Sequence, residues 1–162
     1  TLGKTDLGHR AGGLVIKDYC IKLHATRETE FMDITQQVRD CVTDSGVTSG
    51  FVVVFSKHTT AAVKLNENEP LLLEDMKKFL ERLSPRHGDY KHNDFSIRTV
   101  NMNPDECPNG HSHCQHLTLG SSETIPVIDG VMALGQYQRL FMVELDMQSP
   151  NAREILVQIM GV

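Results

Sequence analysis

The run Asn109-Gly110-His111-Ser112-His113-Cys114-Gln115-His116 places three imidazoles within six residues, a density for which a hydrophobic core has no use. Histidine is the commonest metal ligand and titrates near neutral pH, so the run suits ligation or proton transfer. Read as an extended strand, it points His111 and His113 to one face, where both rings can converge on one ion or one phosphate while Ser112 faces away. The plainer reading is a polar surface loop. A second group follows an apolar run: Lys57-His58-Thr59-Thr60 and then Asn66-Glu67-Asn68 put acid, base and hydroxyl groups just beyond residues 51–55. Taken alone, His58 reads more simply as a hydrogen-bonded histidine at a strand end, and Thr59 and Thr60 as β-formers. Cys107 and Cys114 flank the histidine run, but no C-x-x-C pair has the spacing of a zinc knuckle, which argues against structural zinc on these thiols.

The elements that position these groups follow from patterning. Residues 14–24 are β-branched and roughly alternating, which fits a strand with one face in the core. Ile34, Val38, Cys41 and Val42 mark a short amphipathic helix, with Asp33 or Thr35 as N-cap and Gly46 as its stop. Residues 51–55 are continuously apolar, as in a central strand buried on both sides. Asn68 and Pro70 open a longer helix whose stripe is Leu72, Leu73, Met76, Phe79, Leu80 and Leu83, and Pro85 ends it. Residues 84–116 read as one long loop holding five of the eight histidines, and a loop of that length is usually functional or disordered.

After Gly120 the pattern is all-β. Residues 124–128 and 131–134 form a hairpin across Asp129-Gly130, with Pro126 marking an edge or a bulge. Two further strands, 137–146 and 153–160, joined through 148–151, are expected to form an antiparallel meander. About seven strands and two helices without βαβ alternation predict an α+β fold with antiparallel sheets.

The chain has 162 residues, the size of one domain: a mobile arm over 1–13 and a single domain over 14–162. A formal net charge of −5 without a basic cluster argues against nucleic acid as a partner. No apolar run approaches the ~20 residues that span a bilayer, which argues against a membrane partner. The opening residues show no charged region followed by an apolar one, so a cytoplasmic location with reduced thiols is expected.

Further residues carry a resemblance. His58-Thr59-Thr60-Ala61-Ala62, Asn66-Glu67-Asn68, Asp75, Tyr90-Lys91-His92, Ser112-His113, Leu119-Gly120, Ile125-Pro126-Val127, Gly130, Leu134-Gly135, Gln138, Glu144 and Arg153 resemble the YjbQ-like family, also named the secondary thiamine-phosphate synthase family. From about Tyr19 onward the match runs in order at matching spacing. The resemblance implies two antiparallel sheets packed as a jelly-roll-like sandwich, a homotrimer, and a thiamine-phosphate-forming activity on phosphorylated heterocycles. It also implies a three-histidine metal site of His58, His92 and His113, with His111 in reserve. Three imidazoles suit zinc and leave a position open, whereas Mg²⁺ prefers oxygen ligands.

By position, the resemblance makes Glu67 a catalytic base and Arg153 a bidentate phosphate contact. Thr59, Asn66, Ser112, Tyr137, Gln138 and Glu144 would then contact substrate. Two departures stand out: Tyr137-Gln138 replaces the family's usual Trp-Gln, and residues 146–153 replace its Asp-Gly-Pro-Arg corner, removing one basic residue. Two other functions fit the same residues, a metal- or phosphate-binding homotrimer without dedicated catalysis and a metal-assisted hydrolase.

Overall fold

Alternating β-branched and aromatic residues set nine segments of the chain as strands. The computed structural model describes residues 9–11, 13–146 and 152–162. Its strands are β1 (His9–Ala11), β2 (Leu14–Leu23), β3 (Glu30–Asp33), β4 (Ser49–Ser56), β5 (Ala61–Glu67), β6 (Ser122–Ile128), β7 (Val131–Met132), β8 (Gln138–Glu144) and β9 (Arg153–Gly161). Its helices are α1 (Thr35–Ser45), α2 (Pro70–Leu83) and α3 (Gly110–Leu119), with a 3₁₀ turn at Lys91–Asn93. All strand pairs are antiparallel. They make a large sheet ordered β1-β2-β9-β4-β6-β7 and a small sheet ordered β3-β8-β5. The fold is α+β with two antiparallel sheets, as the patterning predicts.

The two sheets share a core. Val52, Val54, Ile155, Val157 and Ile159 of the large sheet meet Ala61, Val63, Leu140 and Met142 of the small one, with Val38, Cys41 and Val42 of α1 in the same cluster. The opposite face of the small sheet, Ala62, Phe141 and Val143, packs with Leu145 against Leu80 and Leu73 of α2 and Leu119 of α3. Removing this apolar surface from water stabilises the fold by roughly 1.5–3 kcal/mol for each large side chain. The small sheet is thus covered on both faces, and its ends are the places where polar groups can gather.

Several expectations need correction. A third helix, α3, takes up the last turns of the stretch read as a loop and runs on to Leu119. β8 and β9 do not form a meander, because β8 lies between β3 and β5 while β9 lies between β2 and β4; the linking residues 147–151 lie outside the described residues. β4 is central in its sheet but buried on one face only: Val52 and Val54 are fully covered, whereas Phe51 and Phe55 are 40% and 41% exposed. Of the α2 stripe only Leu80 is buried, and Phe79 and Leu83 stand open to solvent. Glu69, not Asn68, caps α2, its carboxylate accepting from the Leu71 and Leu72 N–H groups at 3.0 and 2.7 Å. Of the expected N-terminal arm, residues 1–8 and 12 lie outside the described residues, while His9–Ala11 pairs with β2.

Two other readings are met. Gly46 ends α1 in the left-handed conformation, and Asp129 and Gly130, with φ of 51° and 79°, make the tight turn of the β6–β7 hairpin.

Candidate functional site: a histidine pair in a polar cleft

The histidine run is helical, and that changes which rings meet. Residues two apart on a helix point about 200° apart, so His111 and His113 face opposite ways. His113 packs against His92, ring centroids 4.7 Å apart and planes at 72°. Two local features bring His92 there. A Cβ on Gly110 would lie 2.7 Å from Cβ of Tyr90, so only glycine lets the 3₁₀ turn close on the start of α3. The Gly110 N–H donates to Oδ1 of Asn93 at 2.9 Å, locking the two segments together.

Polar bonds then fix α3 to the body. The Ser112 hydroxyl donates to the Leu145 carbonyl at 2.7 Å, and Asn109 Nδ2 donates to the Asp146 carboxylate at 2.7 Å. The buried Gln115 amide donates to the Leu80 and Ser84 carbonyls, satisfying the C-terminal end of α2.

The pair lines a cleft of about 700 Å³ with Thr59, Arg98, Glu106 and Asp146 on its other walls. Burial pushes the His113 pKa below its usual value, and the neighbouring His92 adds to the effect. Both effects favour the neutral form of His113. His92 Nε2 is a buried atom without a hydrogen-bond partner, and it lies 3.8 Å from Glu106 Oε1. A hydrogen bond from Arg98 holds the Glu106 carboxyl below the usual range. An unpartnered ring nitrogen beside a neutral imidazole can accept a proton, bind a cation or, once protonated, grip an anion.

The other candidates divide. His111 faces away from the cleft: its Nε2 meets Glu28 Oε1 at 2.6 Å, and the second Glu28 oxygen pairs with Arg86. His58 spends Nε2 accepting the Glu154 N–H at 2.8 Å, so its proton sits on Nδ1. Burial first, and then the nearby Arg153, lower the His58 pKa. Arg153 and Glu144 are buried against each other, with Nε and Nη2 donating to the two carboxylate oxygens at 2.7 and 2.6 Å. Nη2 also donates to Thr60 Oγ1 and the Asp146 carbonyl, which engages most of the fork internally.

Asn66, Glu67, Tyr137 and Gln138 sit at the far end of the small sheet. Ala61 pairs with Glu144 at one end and Glu67 with Gln138 at the other, so six steps of about 3.3 Å separate the two groups by roughly 20 Å. Gln138 Oε1 caps the Gly135 N–H at 2.8 Å, and Tyr137 is exposed.

Zinc on His58, His92 and His113 does not fit this arrangement. Only His92 and His113 meet, and among the described residues no three His, Cys, Asp or Glu side chains converge at ligand spacing. Cys107 and Cys114 are free and exposed. Arg98, Glu106, Asn109 and Asp146 of the cleft were not anticipated from sequence. The signal for the first three was their position in the long loop that brings His92 to His113; Asp146, just past the end of β8, carried none.

These features define a class: a small antiparallel α+β protein with a histidine pair in a cleft at one end of its inner sheet. The chain belongs to the UPF0047 protein YjbQ-like family, whose model matches residues 19–162. It is 38% identical over 141 residues to a UPF0047 protein of Methanothermobacter thermautotrophicus, covering 87% of this chain and 90% of that one. A crystal structure of a YbjQ-like protein from Sulfolobus solfataricus P2 superposes with a TM-score of 0.81 at 31% identity, covering 92% of this chain and 99% of that one. A hypothetical protein from Aeropyrum pernix K1 gives 0.77 at 32% identity, covering 90% and 99%. Among the described residues no helix is long and apolar enough to cross a membrane.

Proposed function

We propose that the cleft binds a small phosphorylated molecule and that His92 and His113 act on its phosphate. The observation that carries this reading is the ring pair itself, a neutral His113 against a His92 whose Nε2 has no partner, on the wall of a preformed cleft. Asn109, the N-cap of α3, lines the same cleft, which sets the positive end of that helix dipole at its wall. The specific reaction we put forward is thiamine-phosphate formation. The thiazole nitrogen attacks the pyrimidine methylene, a carbon–nitrogen bond forms, the carbon–oxygen bond breaks, and pyrophosphate leaves with the electron pair. Such a reaction needs the leaving anion stabilised more than it needs a base.

The protein acts as a homotrimer in this reading. The outer face of the large sheet carries Phe51, Phe55 and Leu156, each about two-fifths exposed, an apolar surface that a neighbouring copy would cover. A three-fold ring is heterologous, so two different patches of one chain meet in it. This offers a route for the remote Glu67 and Gln138 to reach a neighbour's cleft.

Calorimetric titration with inorganic phosphate and pyrophosphate tests the anion reading. Binding should weaken at least about tenfold in His113→Ala, a loss of about 1.4 kcal/mol. Absence of binding, or binding indifferent to His113, would refute it. Light scattering at micromolar concentration tests the assembly, and a monomer mass would remove the trimer.

A further inference from the structure

α2 carries two apolar stripes where its own fold uses one. Leu73 and Leu80 turn inward and pack with Phe141 and Val143 of the small sheet. Beside them Leu72, Met76, Phe79 and Leu83 recur at intervals of four, three and four residues, which aligns them along a second face. Phe79 and Leu83 are 53% and 49% exposed, so this face is left open to water. Large apolar side chains repeating every 3.5 residues make a helix–helix seam, not a solvated surface.

The open stripe reads the same in both directions. A two-fold axis passing between Met76 and Phe79 lays α2 antiparallel on its copy, with Leu72 opposite Leu83 and Met76 opposite Phe79. Every layer is then apolar, and the two central ones set a thioether against an aromatic ring. The charges obey the same symmetry. Asp75 and Arg82 flank the stripe and are both exposed, and among the described residues neither forms an ion pair. Under that axis Asp75 of each copy falls within two residues, about 3 Å of rise, of Arg82 on the other, so two ion pairs border the seam. A parallel pairing would instead set Asp75 against Asp75 and Arg82 against Arg82.

We infer that α2 is a docking surface for a second copy of this chain, paired antiparallel with its counterpart across a two-fold axis. This face is distinct from the one assigned to the trimer: α2 covers the outer face of the small sheet, whereas Phe51, Phe55 and Leu156 stand on the outer face of the large one. The inference is independent of the anion reading and of the ring. A helix of 14 residues is about 21 Å long, and a seam of one such pair stands at the small end of specific interfaces, so the pairing depends on concentration. An isologous contact doubles whatever assembly carries it, so a ring of three becomes six chains.

The test is sedimentation velocity on the full chain from about 1 to about 300 micromolar. The wild-type mass should double across that range. Phe79→Glu, which places a charge beside the axis on an already exposed position, should abolish the doubling while the circular dichroism melt stays that of wild type. Asp75→Arg and Arg82→Asp should each weaken self-pairing roughly tenfold, because both bordering pairs become repulsive. Mixed in equal amounts, these two variants should pair again, since each base then meets an acid; the double variant Asp75→Arg/Arg82→Asp should pair as wild type does. A wild-type mass constant over the range would overturn the second copy as occupant and leave the stripe to another protein's helix. A mass for Phe79→Glu below that of dilute wild type would place α2 in the ring contact and overturn the two-fold. Failure of both the mixture and the double variant to recover would overturn the antiparallel pairing.

Discussion

Arg153 lines the histidine cleft yet is paired internally with Glu144, and a single substitution separates a structural role from an anion contact. The guanidinium and Glu144 are 5% and 4% exposed, so both charges lie inside the protein. Nε and Nη2 are committed to the two carboxylate oxygens, and Nη2 also serves Thr60 and the Asp146 carbonyl. Replacing Arg153 with Met strands a buried carboxylate, which typically costs about 3–5 kcal/mol. For a domain of this length that corresponds to a fall in melting temperature of roughly 6–20 °C. The double variant Arg153→Met/Glu144→Leu removes both charges and should recover much of the loss. Circular dichroism melts at one fixed protein concentration measure this, since oligomerisation makes melting concentration-dependent. Pyrophosphate affinity is measured beside them. An Arg153→Met protein melting within about 2 °C of wild type while losing pyrophosphate would refute the argument and make Arg153 the anion grip.

Two further predictions concern protons and metal. Burial lowers the pKa of His58, His113 and His116 in the fold. The unfolded chain therefore takes up these protons first as pH falls below about 6.5; stability is full above that value and declines through the folded-state pKa values below it. His116→Gln should flatten part of that decline in melting temperature between pH 7 and 5, and an unchanged slope would count against the assignment. Because His58 is engaged by Glu154 and only two rings meet, dialysis against EDTA should alter phosphate affinity by less than about twofold. A large loss restored by zinc would return the three-histidine site.

The strands were legible because their alternation records one buried face: Val52 and Val54 against Phe51 and Phe55, Ile155, Val157 and Ile159 against Leu156 and Gln158. The same periodicity is silent about which sheet a strand joins, so β8 and β9 were paired in error. α3 escaped because its buried face is Ser112 and Gln115, held by hydrogen bonds to carbonyls and not by an apolar stripe. Its histidines are weak helix formers besides. Once that stretch is helical, His111 and His113 part company, and the partner of His113 becomes His92, twenty-one positions earlier in the sequence. No local pattern encodes that meeting; it depends on Gly110 accepting Tyr90 at close range.

The remote Glu67 gives the trimer a consequence that can be measured. Within one chain it stands roughly 20 Å along β5 from the cleft end, too far to serve His113. In a heterologous ring each site at a boundary draws Glu67 from one chain and His113 from the next. Glu67→Gln and His113→Ala should then each lower thiamine-phosphate formation at least about tenfold. The two inactive proteins, unfolded and refolded together in equal amounts, should regain activity. A boundary is intact when its Glu67 side comes from the His113→Ala chain and its His113 side from the Glu67→Gln chain, a chance of one half each, so about one quarter of wild-type activity returns. Size-exclusion and light scattering confirm that mixed rings formed. Mixed rings without recovered activity would show that Glu67 does not act across the boundary. Its place at the end of β5, with its N–H on the Asn66 side chain at 2.8 Å, would then be its whole role.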